Sequence, residues 1–247
     1  MRTGPIAALL LAAATTAACG RGLFRQYEYQ EDIYLSLDGS ATVYVNSSVP
    51  ALDALRGATF DPSPNARVDT DAVRAFFTTP VTRVARIATS RRSNRRFLHV
   101  RLEVQDIRRL AEAAPFSWAK YEFDRDGDLY KYRQTLQPAA GRAVANVGWT
   151  GRELVAFRLH LPSKVADHNA GADNLRGNIL VWEQTLADRL HGVPLALEVR
   201  IETQSILYRT LWLFAATLVA VAITFAAIIL FLFRGKTTPS GWERHAV

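Results

Sequence analysis

Residues 33–57 read IYLSLDGSATVYVNSSVPALDALRG, and this stretch decides the fold class. Residues 27–37 are aromatic and rich in β-formers, and Asp38-Gly39 follows as a turn signal. In the next segment Val43 and Val45 alternate with Thr42, Tyr44 and Asn46. Two such runs around Asp-Gly predict a β-hairpin. The period then changes. Pro50 suits a first helical turn, Leu52 and Leu55 form a stripe, and Gly57 suits a helix C-cap. The unit is therefore a hairpin followed by a short covering helix.

The same layout recurs downstream. Residues 58–68 are a loop rich in Pro, Asp and Asn. A short helix over 69–79 is capped by Asp69 or Thr70 and turns Val73, Phe76 and Phe77 inward. A second hairpin pairs 81–89 with 96–104. Its first strand shows period two with Val84 out of step, and its second places Leu98, Val100, Leu102 and Val104 opposite Phe97, His99, Arg101 and Glu103. The intervening SRRSNRR reads as a loop. A helix over 106–114, capped by Asp106, turns Ile107, Leu110 and Ala111 inward, and a third hairpin turns near Asp126-Gly127. Residues 155–161 and 195–201 read as two further strands, with a short strand and a helix-like WEQTLADRL between them. The whole predicts an α+β domain, a curved antiparallel sheet built from hairpins and covered by short helices.

The ends follow different rules. Residues 1–18 combine Arg2, an apolar run from Ile6 to Ala14 and small residues before Cys19. The run is too short to span a bilayer core of ~30 Å, and the pattern is that of a secretory signal peptide. Residues 211–233, LWLFAATLVAVAITFAAIILFLF, carry no charge and are long enough to span. Arg234 and Lys236 follow at once, which predicts a cytoplasmic tail. The expected organisation is a signal peptide at 1–18, an extracytoplasmic domain at 19–208, a transmembrane helix at 209–234 and a short tail at 235–247.

The charge agrees with this organisation. The chain carries 30 Lys and Arg against 23 Asp and Glu, but Arg2, Arg209, Arg234, Lys236 and Arg244 lie at the ends with only Glu243 against them. The body is close to neutral and contains no recognition motif, which argues against nucleic acid. The single cysteine, Cys19, permits no internal disulfide. Its place after the apolar run marks it as the lipidation site, with Ala17 and Ala18 before it as a lipoprotein signal requires and Thr16 where leucine is usual.

Candidate sites within the body are few. Arg91, Arg92, Arg95 and Arg96 form a basic tract suited to contact with an anionic surface, or to a solvated hairpin tip. Asp124, Asp126 and Asp128 resemble half a calcium loop, but glycine comes fourth and Thr135 stands twelfth, so a hairpin turn is the better reading. His99, His160, His168 and His191 are scattered, and 167–169 reads as a loop. Tyr27, Tyr29, Tyr34 and Tyr44 suit half-buried strand positions or a ligand groove. No catalytic motif, metal ligand set or cofactor fingerprint is present in the sequence, so the expectation is a protein without enzyme activity, cofactor or metal.

Two segments carry a family resemblance. Residues 33–50, IYLSLDGSATVYVNSSVP, and 178–202, NILVWEQTLADRLHGVPLALEVRIE, resemble the opening hairpin and closing strands of the LppM-like bacterial lipoproteins. The similarity runs in order and spacing from Tyr27 to Glu202, and residues 56–104 depart from it. The resemblance implies an envelope location and interaction with lipids or envelope proteins. It implies no reaction. Together with the spanning helix, which holds the chain in the inner membrane, the expectation is a bacterial envelope lipoprotein that binds or scaffolds on the extracytoplasmic face. Alternative readings are a lipid- or hydrophobic-ligand-binding domain and an envelope enzyme with a dispersed site.

Overall fold

The hairpin of 27–48 forms as its alternation requires. In this computed structural model, which describes residues 25–139, 141, 143–144, 146–171 and 177–234, β1 (Tyr27–Leu35) pairs antiparallel with β2 (Ala41–Ser48), Ile33 opposite Val43. The connection is wider than a two-residue turn. Ser36 N–H donates to the Ser40 carbonyl at 2.9 Å, and Asp38 Oδ1 accepts from the Ser40 N–H and hydroxyl. Gly39 sits at φ +89°, a conformation that L side chains rarely adopt.

Helix α1 (Val49–Arg56) follows without a linker. Ser48 caps it, its hydroxyl accepting from the Ala51 N–H at 3.2 Å, and Gly57 ends it at φ +68°. Burial extends beyond the Leu52 and Leu55 stripe to all eight residues, Asp53 and Arg56 included. Helix α2 (Thr70–Phe77) is capped by Asp69 and buries Val73 and Phe77.

The second hairpin is longer than its sequence pattern suggests. β3 (Thr82–Arg92) and β4 (Arg95–Val104) meet at a two-residue turn, Ser93-Asn94, with φ values of 48° and 56°. Two positive φ values match the twist of the flanking strands and let the ladder run to the tip. The four arginines read as loop residues therefore lie in strands, Arg91 opposite Arg96 and Arg92 opposite Arg95. The out-of-step Val84 marks a real irregularity, since the register shifts between Val84 and Arg86. Residues 106–114 wind more tightly than an α-helix, as two 3-10 turns at Ile107–Glu112 and Ala114–Phe116.

The remaining strands are β5 (Ala119–Asp126), β6 (Leu129–Leu136), β7 (Leu154–His160), β8 (Ser163–His168), β9 (Ile179–Thr185) and β10 (Leu195–Ser205), with helix α3 (Leu186–Leu190) between the last two. The fold is α+β with two antiparallel-rich sheets. The order is β3-β4-β2-β1-β7-β9 in the first and β5-β6-β10-β8 in the second. β1 and β7 pair in parallel, the one such pairing among those described. β8, which contains the Asp167-His168 stretch read as loop, is an edge strand of the second sheet.

The core lies where the sheets face each other, and Tyr29, Trp118, Phe157 and Tyr132 are among its large side chains. At its centre is a charge. Glu31 sits on the core face of β1 at 1% exposure, beside Arg56 from the end of α1 at 7%. The two form an ion pair. The other hydrogen bonds saturate the carboxylate. Tyr29 donates to one oxygen at 2.9 Å, and Gln134 at 3.0 Å and Tyr121 at 3.4 Å donate to the other. Arg56 also donates to the Pro115 carbonyl at 2.8 Å and lies 3.7 Å over the Trp118 ring. Burial pushes the phenols of Tyr29, Tyr121 and Tyr132 well above their ordinary range, so they stay neutral donors.

The second unit, from Gln204 onward, is dominated by helix α4 (Ile206–Arg234). At 29 residues, with an 18-residue window of mean hydropathy 2.7, it is long and apolar enough to cross a membrane. Thr210, Thr217 and Thr224 return their hydroxyls to carbonyls four residues back, which satisfies them within the helix.

Glu153 fixes the entry to β7 and supplies a test. Its carboxylate accepts from the Thr150 and Gly151 N–H groups at 2.8 and 2.9 Å and from the Thr150 hydroxyl at 3.2 Å. Burial alone would raise this carboxyl, but the donors outweigh it and hold it below its ordinary 4.5. A depressed folded value gives stability that is complete above 4.5 and lost as pH falls through the folded value. Melting curves of wild type and Glu153→Gln should therefore differ most near neutrality and converge in acid.

Candidate functional site

The alternation that sends Tyr29, Glu31, Ile33 and Leu35 into the core sends Gln30, Asp32 and Tyr34 to the opposite face of the first sheet. The strand registers line these up in rows that cross all six strands. One row runs Arg83, Glu103, Thr42, Tyr34, His160, Ile179. The next runs Arg86, Arg101, Tyr44, Asp32, Arg158, Val181. A third runs Ala88, His99, Asn46, Gln30, Ala156, Glu183.

The first row borders an open cleft of about 780 Å3, which Ser36, Ser40, Gln105 and Asn178 also line. Its floor is aromatic. Tyr34 and His160 stack at 3.8 Å with planes 11° apart, and Tyr44 meets Tyr34 edge-on at 5.4 Å. Tyr34 is 45% exposed and Ile179 46%, so both offer apolar surface to a ligand. Arg83 and Glu103 form an ion pair at one end. In the next row of the same face Arg158 meets Asp32 at 3.4 Å, and Arg101 lies 5.8 Å from the Tyr44 ring centre. Aromatic surface ringed by amides, hydroxyls and one ion pair suits an amphipathic ligand or an extended partner segment, and is a different environment from a closed apolar tunnel.

The sequence-predicted residues separate. Cys19 lies outside the described residues. Arg91 stays at the exposed tip and donates to the Asn94 side chain at 2.8 Å. Arg92 donates to the Tyr27 carbonyl and covers the Phe97 ring. Arg96 donates to the Pro64 carbonyl at 3.1 Å. Arg95 is buried on the outer face in a second ion pair with Glu28 at 3.0 Å and donates to the Val147 carbonyl at 2.9 Å. The four arginines share one hairpin tip but make four different contacts, three of them to segments outside the hairpin. Tyr29 is a core residue, Tyr34 and Tyr44 share the outer face, and Tyr27 lies half-buried under Arg158. Asp126 sits at the tip of the β5–β6 hairpin, 3.5 Å from Arg200. Among the described residues no group of three or more His, Cys, Asp or Glu is placed to hold a metal.

His160 and Ile179 were not legible as site residues. Their meeting with Tyr34 depends on the parallel pairing of β1 with β7, which local pattern does not encode. The available signal was alternation in β7, which puts His160 on the face opposite Leu159.

No family model matches the sequence, and no curated protein matches it. Among solved structures, the NMR structure of the folded domain of LppM from Mycobacterium tuberculosis shows a weak likeness, with a TM-score of 0.42 and 10% identity. It covers 75% of this chain and 95% of that one.

Burial lowers the His160 imidazole below its ordinary 6.5, with Asp32 opposing the shift and Arg158 adding to it. An NMR titration should place the His160 midpoint below 6.5 in wild type. Tyr34→Ala should move it upward by uncovering the ring, and Asp32→Asn should move it further down.

Proposed function

We propose that the protein is a membrane-anchored bacterial envelope lipoprotein whose folded domain binds a ligand or partner on the outer face of its first sheet. Helix α4 carries this reading. It begins one residue after β10 ends, and its apolar side chains are exposed along its length, Leu207 at 76% and Phe231 at 80%. Such a surface is stable in hydrocarbon and a liability in water. The domain lies on the extracytoplasmic side of the inner membrane in this reading, because a signal peptide precedes it and Arg234 and Lys236 follow the helix. Cys19 carries the lipid. One acyl chain binds a membrane only marginally, whereas a spanning helix is effectively permanent, so the helix is the anchor and the lipid tethers the other end. The role in this reading is binding, and the Tyr34–His160 cleft is its ligand-facing element.

Carbonate extraction of membranes tests the anchor. The full chain should stay in the pellet, and Cys19→Ser should also stay there while losing the acyl mass. Deleting residues 206–247 should leave a protein held only by its lipid, which Cys19→Ser then releases. Recovery of the full chain in the supernatant would overturn the reading. Native mass spectrometry of the detergent-solubilised protein tests the cleft, since a co-purified ligand should disappear on Tyr34→Ala.

A further inference from the structure

A directed hydrogen-bond chain crosses the outer face of the first sheet beyond the cleft. Ser90 Oγ lies 2.8 Å from His99 Nε2, and His99 Nδ1 lies 2.9 Å from Asn46 Oδ1. Asn46 Nδ2 donates to Asp32 Oδ2 at 3.4 Å, and Arg158 holds the other oxygen of Asp32 at 3.4 Å. Four strands contribute one member each: β3, β4, β2 and β1.

The donor directions are fixed by elimination. Asp32 is a carboxylate and only accepts, so the Asn46 amide must present its NH2 to it and its oxygen to His99. That oxygen is also an acceptor, so His99 must carry its proton on Nδ1. Burial and the nearby Arg92 charge lower the His99 pKa, which keeps the ring neutral. Nε2 is then a lone pair, and the Ser90 hydroxyl donates to it. Every donor points the same way, from an exposed hydroxyl to a carboxylate. A proton arriving on Nε2 is stabilised through Asn46 by Asp32.

We propose that Ser90 is a nucleophile and His99 its general base, with Asn46 as the positioning residue that fixes the tautomer, and that the substrate is an anionic carboxylic ester. The surroundings select the charge. Arg86 and Arg101 face each other directly across β3 and β4 on this side of the sheet, an opposition of like charges that costs stability unless an anion lies between them. Arg92 is two residues from Ser90 on the same strand face and is held by the Tyr27 carbonyl at 2.6 Å and the Phe97 ring at 4.5 Å.

The step balances. Ser90 Oγ bonds to the ester carbonyl carbon as its proton passes to His99 Nε2, and the carbonyl π pair becomes an oxyanion that Arg92 stabilises. Collapse breaks the bond to the alcohol oxygen, which leaves with the proton from His99. Water, deprotonated by His99, then attacks the acyl-Ser90 ester and releases the acid, and the proton returns to Oγ.

The test uses the full-length protein in detergent with a fluorophosphonate probe and peptide mapping. The expected result is an adduct on Ser90, absent in Ser90→Ala, whose exposed side chain leaves the fold intact. In His99→Gln, with an unchanged circular dichroism spectrum, labelling should slow by about 100-fold or more. Mono-4-nitrophenyl succinate should be cleaved faster than 4-nitrophenyl acetate, and Arg86→Gln/Arg101→Gln should abolish the preference. No adduct on Ser90 in wild type, or undiminished labelling in His99→Gln, would overturn the nucleophile. Equal cleavage of the two esters in wild type would overturn the substrate class. Membrane anchoring and cleft binding are read by other measurements and stand or fall separately.

Discussion

A carboxylate on the core face of a strand is tolerable only if it is paired and its lone pairs are filled, and Glu31 meets both conditions. Arg56 neutralises it, and Tyr29, Tyr121 and Gln134 supply the remaining donors. These partners come from α1, β1, β5 and β6, so one charge binds the helix and both sheets together. Replacing such a pair with apolar residues can be neutral or even stabilising, but leaving one member alone is costly. The pair thus acts chiefly as a specificity device. A one-residue slip of β1 would turn Glu31 to solvent and drive Asp32 and Tyr34 into the core.

The outer face inherits its order from that constraint. With Glu31 held inward, Gln30, Asp32 and Tyr34 point outward in fixed register against β2 and β7. Asp32 joins Arg158 and Asn46, and Tyr34 stacks on His160. The aromatic cleft and the Ser90–His99–Asn46 chain are neighbouring regions of one surface, both referenced to β1. Glu28, on the same outward side of β1, is covered instead by the segment that brings Val147 and Trp149 to Arg95 and Glu28. The exposed part of the face is therefore bounded at that end.

Local pattern carried much of this. The first hairpin, the Gly57 end of α1, the Asp69 cap and the alternation of β4 are readable because each depends on residues close in sequence. The irregularity at Val84 was visible as a break in period. Three features were hidden for physical reasons. The strand positions of Arg91, Arg92, Arg95 and Arg96 depend on two consecutive positive φ values at Ser93-Asn94, which SN suggests less strongly than NG or DG. The division into two sheets depends on long-range pairing, as does the parallel junction of β1 with β7. The Ser90, His99 and Asn46 chain joins residues on three strands, and only the registers Asn46 opposite His99 and Ala88 opposite His99 bring them together. The terminal segments differ again: length and composition alone identify an apolar run long enough to span, and α4 extends it at its start to Ile206.

A double-mutant cycle on Glu31 and Arg56, followed by denaturant unfolding, tests the organising role of the buried pair most directly. Glu31→Leu and Arg56→Met should each cost about 3–5 kcal/mol, because each strands a buried charge. The double variant should be markedly more stable than the sum of the two losses allows, and its His99 and His160 ring resonances should stay close to their wild-type positions. Additive losses, or single variants as stable as wild type, would contradict the account.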